Sequence, residues 1–485
     1  MTAKSPTTRI PELCKLNAIP LGKMLRERKV SAVDVAKTYL DHIEAVNPQV
    51  NALVSMRPRT DILADAQAAD DKLAGGEAVG PLHGIPQAIK DLALTKGLRT
   101  TFGSPLFSSL IPDQDSIYVD RMKAAGAIVI GKTNVPEFGY GSNSYNPIFG
   151  LTRNAYDFDR IGGGSSGGAG VALAMRMLPV ADGSDMGGSL RNPAAYNNVF
   201  GFRPSQGRIP ADAFDPFYEQ LGIEGPMGRS VADIAMLLGV QAGYDPRAPL
   251  SLDTAVDEFA AITPAAPKTL RFGWLGDYDG HLAMEPGVLE LTEQAARLFA
   301  SAGATVETVH PGFDMESLWQ AFVTLRQHLI GGRHSDAYAD PEQRKLLKPE
   351  AIWEIEHGHR HTSLDVYRAG LVRGAWYKAM LRLFERFDFL LLPTAQVFPF
   401  AADCHWPAEV NGRTMDSYHR WMEVVAGPTM AGCPSISVPA GFNADGLPMG
   451  LQIIGRPRGD AAVLRAAALY ESLCPWIDRL PPSLS

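Results

Sequence analysis

A repeated hand-over from helical periodicity to a short apolar run constrains this chain more than any other feature. In Ser116–Ala125 (SIYVDRMKAA) apolar residues follow a helical period, Gly126 stops the run, and the apolar burst Ala127–Ile130 (AIVI) follows. A helix closed by glycine and then a buried strand is the unit from which layered α/β proteins are built. The rhythm returns downstream. Leu270–Trp274 reads as a strand, Gly287–Ala302 as a helix stopped by Gly303, and Thr305–Val309 as a second strand, together one βαβ-like unit. Phe387–Leu392, Ser435–Val438 and Gly450–Ile454 read as further buried strands, and Ala461–Leu473 as a terminal helix. Serine caps support the helical readings. Ser31 precedes Ala32, Val35, Ala36, Tyr39, Leu40, Ile43 and Val46 at i, i+3, i+4 spacing, a run expected to stop at Asn47-Pro48. Ser230 opens Ser230–Leu238 with Asp233 three positions on, a relative of the capping box.

No internal repeat, long linker or charge block divides the 485 residues, so a single interwoven α/β domain over residues 15–480 is expected. Within it, residues 315–422 are richer in aromatics, histidines and charges, and are expected to be the variable part that shapes a substrate pocket. A composition with 46% hydrophobic and 20% charged residues fits a globular protein. A net charge of −8 without clustered Lys and Arg argues against nucleic acid or an anionic membrane as partner. Small-molecule partners are expected instead. Cys14, Cys404, Cys433 and Cys474 lie far apart with no CxxC pair, and read as free thiols in a reducing cytosol. The first thirty residues carry scattered charges and no apolar stretch that would make a secretory or membrane segment, so a cytoplasmic location is expected.

Chemistry concentrates in three places. The loop Gly162–Gly168 (GGGSSGG) runs directly into Ala169–Met177, which puts its glycines where a helix begins and N–H groups are unpaired. Alone, such a loop is compatible with a linker, a phosphate cradle or a catalytic turn. The phosphate reading is weakened because neither GKS/GKT nor a strand-GxGxxG-helix pattern is present. Asp185–Ala194 (DMGGSLRNPA) places two glycines immediately before Ser189, which lets consecutive backbone N–H groups approach a carbonyl oxygen. Its bland alternative is a tight turn held by an Asp185–Arg191 ion pair. Lys90, in Ile89-Lys90-Asp91 after the Gly84-Ile85-Pro86 turn, is either a solvated edge residue or, if buried, a base whose pKa desolvation depresses. Two hydroxyls, a base and a glycine-rich stretch of N–H groups are the parts that acyl transfer needs.

Lys90, GGGSSGG and DMGGSLRNPA, in this order and spacing, closely resemble the amidase signature family. The likeness runs from the Ser31 helix through Lys132-Thr133-Asn134 and Gly225–Ser230 (GPMGRS) to Leu447–Gly455 (LPMGLQIIG), and thins over about residues 315–425. It implies an α/β fold in one large domain, with a mixed, mostly central β-sheet covered by helices on both faces. It also implies an amidase with Ser189 as nucleophile, Ser165 (after a cis peptide bond) as relay and Lys90 as base. The N–H groups of Met186, Gly187, Gly188 and Ser189 would form the oxyanion hole, with Ser166, Asp185 and Arg191 as supporting hydrogen-bond partners. Phe138, Gly139, Tyr140 and Gly141 would line the substrate channel, although the two aromatics read equally well as core. Neither metal nor organic cofactor is implied, and homodimers are common among relatives.

Two departures from the family pattern stand out: Gln87-Ala88 replaces bulkier apolar residues, with Gln87 expected in the pocket wall, and Ala155 follows Asn154 in place of proline. His357, His359 and His361 (HGHRH) invite a metal reading, but no carboxylate or cysteine spacing accompanies them, and no metal is assigned. Trp376, Trp406, Tyr418 and Trp421 read as core before pocket. The leading expectation is hydrolysis of a carboxamide or anilide. A glutaminase component of an amidotransferase complex is the second reading, and a non-catalytic binding homologue the third.

Overall fold

Two sheets carry the architecture of the computed structural model, which describes residues 7–211, 214–253 and 256–485. The smaller joins β1 (Leu53–Val54), β2 (Pro86–Lys90) and β3 (Ile128–Thr133) in the order β1-β3-β2, with β2 parallel to β3. The larger has eight strands: β4 (Val180–Ser184), β5 (Phe200–Arg203), β6 (Glu224–Gly228), β7 (Arg271–Trp274), β8 (Thr305–Thr308), β9 (Phe389–Pro393), β10 (Ser435–Phe442) and β11 (Pro448–Gly455). Their spatial order is β8-β7-β9-β11-β10-β5-β6-β4. β8, β7 and β9 run parallel, and every other neighbouring pair is antiparallel, so the sheet is mixed.

The helices that matter below are α1 (Ala32–Val50), α2 (Ile117–Ala124), α3 (Gly167–Ala174), α4 (Arg191–Tyr196), α5 (Val231–Gln241), α6 (Val288–Ser301), α7 (Met315–Arg333), α8 (Pro349–Gly358), α9 (Ser363–Phe384) and α10 (Asp460–Leu473). They cover both faces of the large sheet. On β11, a Cβ placed at Gly450 would meet Ala195 of α4, whereas one at Gly455, an odd number of positions away, would meet Val463 of α10. Successive strand residues point to opposite faces, so α4 and α10 lie on opposite sides. β9 makes the same division, with Phe389 and Leu391 in one apolar core and Leu390 and Leu392 in the other.

Local chemistry explains the element ends. Ser31 Oγ accepts the Asp34 N–H at 2.9 Å and Ser230 Oγ accepts that of Asp233 at 3.2 Å, as the caps predict. Gly126, at φ +94°, closes the turn between α2 and β3, and β7-α6-β8 forms the expected parallel unit. One boundary differs: α1 passes through Asn47-Pro48 and ends at Val50, with Asn51 left-handed at φ 52°. Pro48 removes one backbone donor, yet the Asn47 carboxamide accepts from Ala52 and Leu53 N–H and donates to Leu53 O, each at 2.9 Å, and so finishes the helix end. β10 and β11 extend beyond the expected runs, with an irregularity in their pairing between Pro439 and Gly441.

Candidate active site

β2 delivers Lys90 at its last residue, and the Lys90 N–H donates to Asp182 Oδ2 at 3.1 Å, docking β2 alongside β4. The glycine loop then enters α3, which is buried on every side. That burial requires Gly168: a Cβ there would lie 2.3 Å from Asn134 N and 2.5 Å from Ala52 O. β4 ends at Ser184 and leads into the Asp185–Leu190 loop before α4. Three segments far apart in sequence therefore meet at one point.

At that point Lys90 Nζ, which is 1% exposed as a residue, lies 2.8 Å from Ser165 Oγ, 2.8 Å from Ser166 Oγ, 2.9 Å from Ser184 Oγ and 3.2 Å from Ser184 O. Burial pushes its pKa down from 10.5 to about 8, against the opposing pull of Glu224, Asp182 and Asp185. Lys132 on the neighbouring strand is also buried and held at about 8, chiefly by burial, but its Nζ donates to Ala93 O at 2.7 Å and Thr95 Oγ1 at 2.9 Å. Only Lys90 of these two reaches serine hydroxyls. The Gly164–Ser165 peptide is cis. Ser142 Oγ donates to Gly164 O at 2.7 Å and in turn accepts from Asn192 Nδ2 at 3.0 Å, which supports the loop from behind.

Ser189 keeps 8% exposure against 2% for Ser165, making it the more accessible of the two hydroxyl residues. Its carbonyl accepts the Ser166 N–H at 3.2 Å, stitching the two serine loops together. Asp185 organises the turn. Its Oδ1 accepts from Gly188 N and Arg191 Nη2, both at 2.9 Å, and from Arg203 Nη1 at 3.3 Å, while Oδ2 accepts from Arg191 Nε at 3.0 Å and Leu190 N at 3.2 Å. Burial would raise this carboxyl, but the two guanidiniums overcome it and hold the group well below the usual carboxylate range. Gly188 sits at φ +87°, and a Cβ there would lie 2.8 Å from Val425 Cγ2. Of the four N–H groups expected to face an oxyanion, that of Gly188 is committed to Asp185 instead. Those of Met186, Gly187 and Ser189 have no hydrogen-bond partner among the described residues.

The helices of the 315–422 region form the ceiling. A Cβ at Gly187 would lie 3.4 Å from Phe322 Cζ of α7, and Arg326 Nη1 lies 3.3 Å from Met186 Sδ. Arg326 is itself held by Glu354 Oε1 at 2.6 Å and by the Tyr418 hydroxyl at 3.0 Å. Gly139, at φ +78°, lies against Ser165, with 3.4 Å from a Cβ placed there to Ser165 Oγ, and Gly141 faces the Tyr418 ring. Phe138 is half-buried at φ 52°, its ring 4.3 Å from that of His334. Tyr140 is buried with Ile330, Leu347, Ala351 and Ile355, and its hydroxyl has no partner among the described residues. Glu137 and Lys348 pin this segment: the Lys348 N–H donates to Glu137 Oε2 at 2.7 Å, and Lys348 Nζ to Tyr140 O at 2.6 Å.

Several sequence expectations resolve differently. Gln87 is not in a pocket wall: it is fully buried and donates to Val180 O at 3.1 Å, at the opposite end of β4 from Ser184. Ala155 uses the N–H that a proline would lack, donating to Asn197 Oδ1 at 3.3 Å. Trp376 and Trp421 are buried and donate to Gly427 O and Tyr418 O, whereas Trp406 is half-buried. The rings of His357, His359 and His361 pair separately with Trp353 O, Ser335 Oγ and Gln327 Oε1. Sequence reasoning missed Asp182, Ser184 and Arg203. The first two were marked by polar residues at alternate positions of a strand otherwise made of small and apolar residues, while Arg203 carried no local signal.

Comparison with known proteins completes the site's description. The family model described as Amidase matches residues 34–464. The chain is 34% identical to an acylamidase of Rhodococcus erythropolis, covering 96% of this chain and 97% of that protein. It is 32% identical to a glutamyl-tRNA(Gln) amidotransferase subunit of Thermosynechococcus vestitus, covering 95% and 98%. The crystal structure of a bacterial aryl acylamidase belonging to the amidase signature enzymes superposes with a TM-score of 0.90 at 30% identity, over 96% of this chain and 98% of that one.

Proposed function

Because the chain belongs to the Amidase family and is an amide-hydrolysing enzyme, we propose that it acts through an acyl-enzyme on Ser189, with Ser165 as relay and Lys90 as base. The observation that carries this reading is the 2.8 Å approach of Lys90 Nζ to Ser165 Oγ inside a buried site. A lysine held at about 8 is partly neutral near pH 7, and its lone pair is free to take a proton. As Ser189 Oγ attacks the amide carbon, its proton passes to Ser165 and that of Ser165 to Lys90. The oxyanion that forms meets the N–H groups of Met186, Gly187 and Ser189, while Gly188 serves by shaping the turn. Collapse breaks the C–N bond, and the departing amine takes the proton back through Ser165. Water then attacks the ester by the same relay, releases the carboxylic acid and restores Ser189.

Ser166, Asp185 and Arg191 position these groups, joined by Ser184 and Arg203. The substrate class we assign is a small carboxamide or anilide, in keeping with the acylamidase and aryl acylamidase relatives, with Phe138, Gly139, Tyr140 and Gly141 on the substrate side of Ser165. The similarity to the amidotransferase relative supports a second reading, a glutaminase that serves a partner. Turnover of the isolated chain on anilides, aliphatic amides and glutamine separates the two, with mass spectrometry of quenched enzyme to locate the acyl group. Acylation at Ser189 with glutamine no better than other amides is expected. Glutamine preference would favour the amidotransferase, and acylation at any other residue would overturn the assignment of the nucleophile.

A further inference from the structure

Away from this chemistry, a cavity of about 160 Å³ opens at the opposite end of α3, lined among others by Arg176, Arg229, Arg479, Asn198, Glu471 and Asp478. The helix spans eight residues, ~12 Å, between it and Ser166. We propose that this cavity is a binding site for a small oxyanion that carries its own O–H, of the hydrogen phosphate class. Three arginines line it, Arg479 with its guanidinium stacked over the Phe442 ring at 3.9 Å, and none of the three is in an ion pair with a carboxylate among the described residues. Arg229, 7% exposed, spends its donors on Leu178 O, Leu16 O and Asn17 Oδ1, so it supplies charge. Arg176 makes one long bond, 3.5 Å to Lys15 O, which leaves most of its fork free.

The two carboxylates on the lining do not cancel this charge. Glu471 caps α5 by accepting the Val231 N–H at 3.3 Å, and burial, joined by Asp233 and Asp478, pushes it up to about 7. Asp478 is exposed. The lining is therefore net cationic at neutral pH. A second observation specifies the ligand further: Asn198, 6% exposed, donates through Nδ2 to Trp476 O at 2.8 Å, but its Oδ1 is buried without a donor among the described residues. An orphaned acceptor beside free guanidinium donors asks for an anion with a proton to give. Arg176 and Asn198 also hold left-handed backbones, φ 62° and 53°, an uncommon conformation for residues other than glycine. The space holds several waters' worth of ligand, enough for a tetrahedral oxyanion.

The test is calorimetric and thermal-shift titration of the full chain with inorganic phosphate, sulfate and chloride at matched ionic strength and pH 7, where sulfate has no proton to donate. Saturable phosphate binding, stronger than sulfate and chloride, is expected. It should weaken about tenfold in Arg176→Gln, as loss of a charge-assisted pair predicts, and fall likewise in Asn198→Asp, which puts a carboxylate against the anion. Arg479→Gln provides a third probe should either variant fail to fold, and amide turnover without phosphate should match wild type in all folded variants. Equal binding of the three anions, equal binding by wild type and variants, or no saturable binding would overturn the site.

Discussion

The acid limb of the pH–rate profile is the sharpest consequence of Lys90's surroundings. Only the neutral amine accepts a proton from Ser165, so kcat/KM should rise with pH through the lysine's pKa and level above it. With that pKa at about 8, roughly 1% of the enzyme is competent at pH 6, about 9% at pH 7 and about 90% at pH 9, a near-tenfold loss per unit on the acid side. A lysine left at its unperturbed 10.5 would be competent in only about 0.03% of molecules at pH 7, so burial supplies roughly 300-fold in active form. The sign extends to a neighbour. Glu224 exerts the largest of the opposing charges that raise Lys90, so Glu224→Gln should move the limb to lower pH. The assay is initial-rate measurement on an anilide from pH 6 to 10, with circular dichroism to confirm the fold at each end. A flat profile, or a limb that moves upward in Glu224→Gln, would refute the assignment of Lys90 as base.

Other perturbations probe the remaining parts. Ser189→Ala should abolish the pre-steady-state burst and Lys90→Ala should remove nearly all turnover, with circular dichroism unchanged in both; a surviving burst in Ser189→Ala would displace it as nucleophile. Asp185→Asn strands two fully buried guanidiniums, and denaturant titration should show a loss of about 3–5 kcal/mol; a near-neutral result would mean that the surrounding carbonyls suffice. Gly188→Ala forces a side chain into Val425 at a left-handed φ. The distorted turn should cost roughly 100- to 1000-fold in kcat, comparable to losing one oxyanion donor, and wild-type kcat would show that the turn tolerates the change.

Much of this was legible in the sequence because it is local. Ser31 and Ser230 cap where their spacing to Asp34 and Asp233 says they should, and Gly126 stops α2, since each decision is made within a few residues. Pro48 misled because the Asn47 side chain supplies what the proline removes. The candidate triad stood out through the order of its motifs, yet its surroundings did not. Arg203 reaches Asp185 only once β5, β6 and β4 have paired, and Phe322 and Arg326 reach the loop from more than a hundred residues downstream. The engagement of the Gly188 N–H was equally hidden, because two adjacent glycines do not reveal which N–H stays unpaired and which donates to a carboxylate.

The meeting of Lys90 with Ser165 and Ser184 joins residues 75 and 94 positions apart in the chain. Closing loops of that length is slow compared with forming the helices themselves, since chain entropy is lost before any contact repays it. Helical signal should therefore return early when the denatured protein is diluted into buffer, and amide turnover only when the β2–β4 seam has closed. Catalysis becomes a clock for the last stage of folding, read in product formed and not in ellipticity.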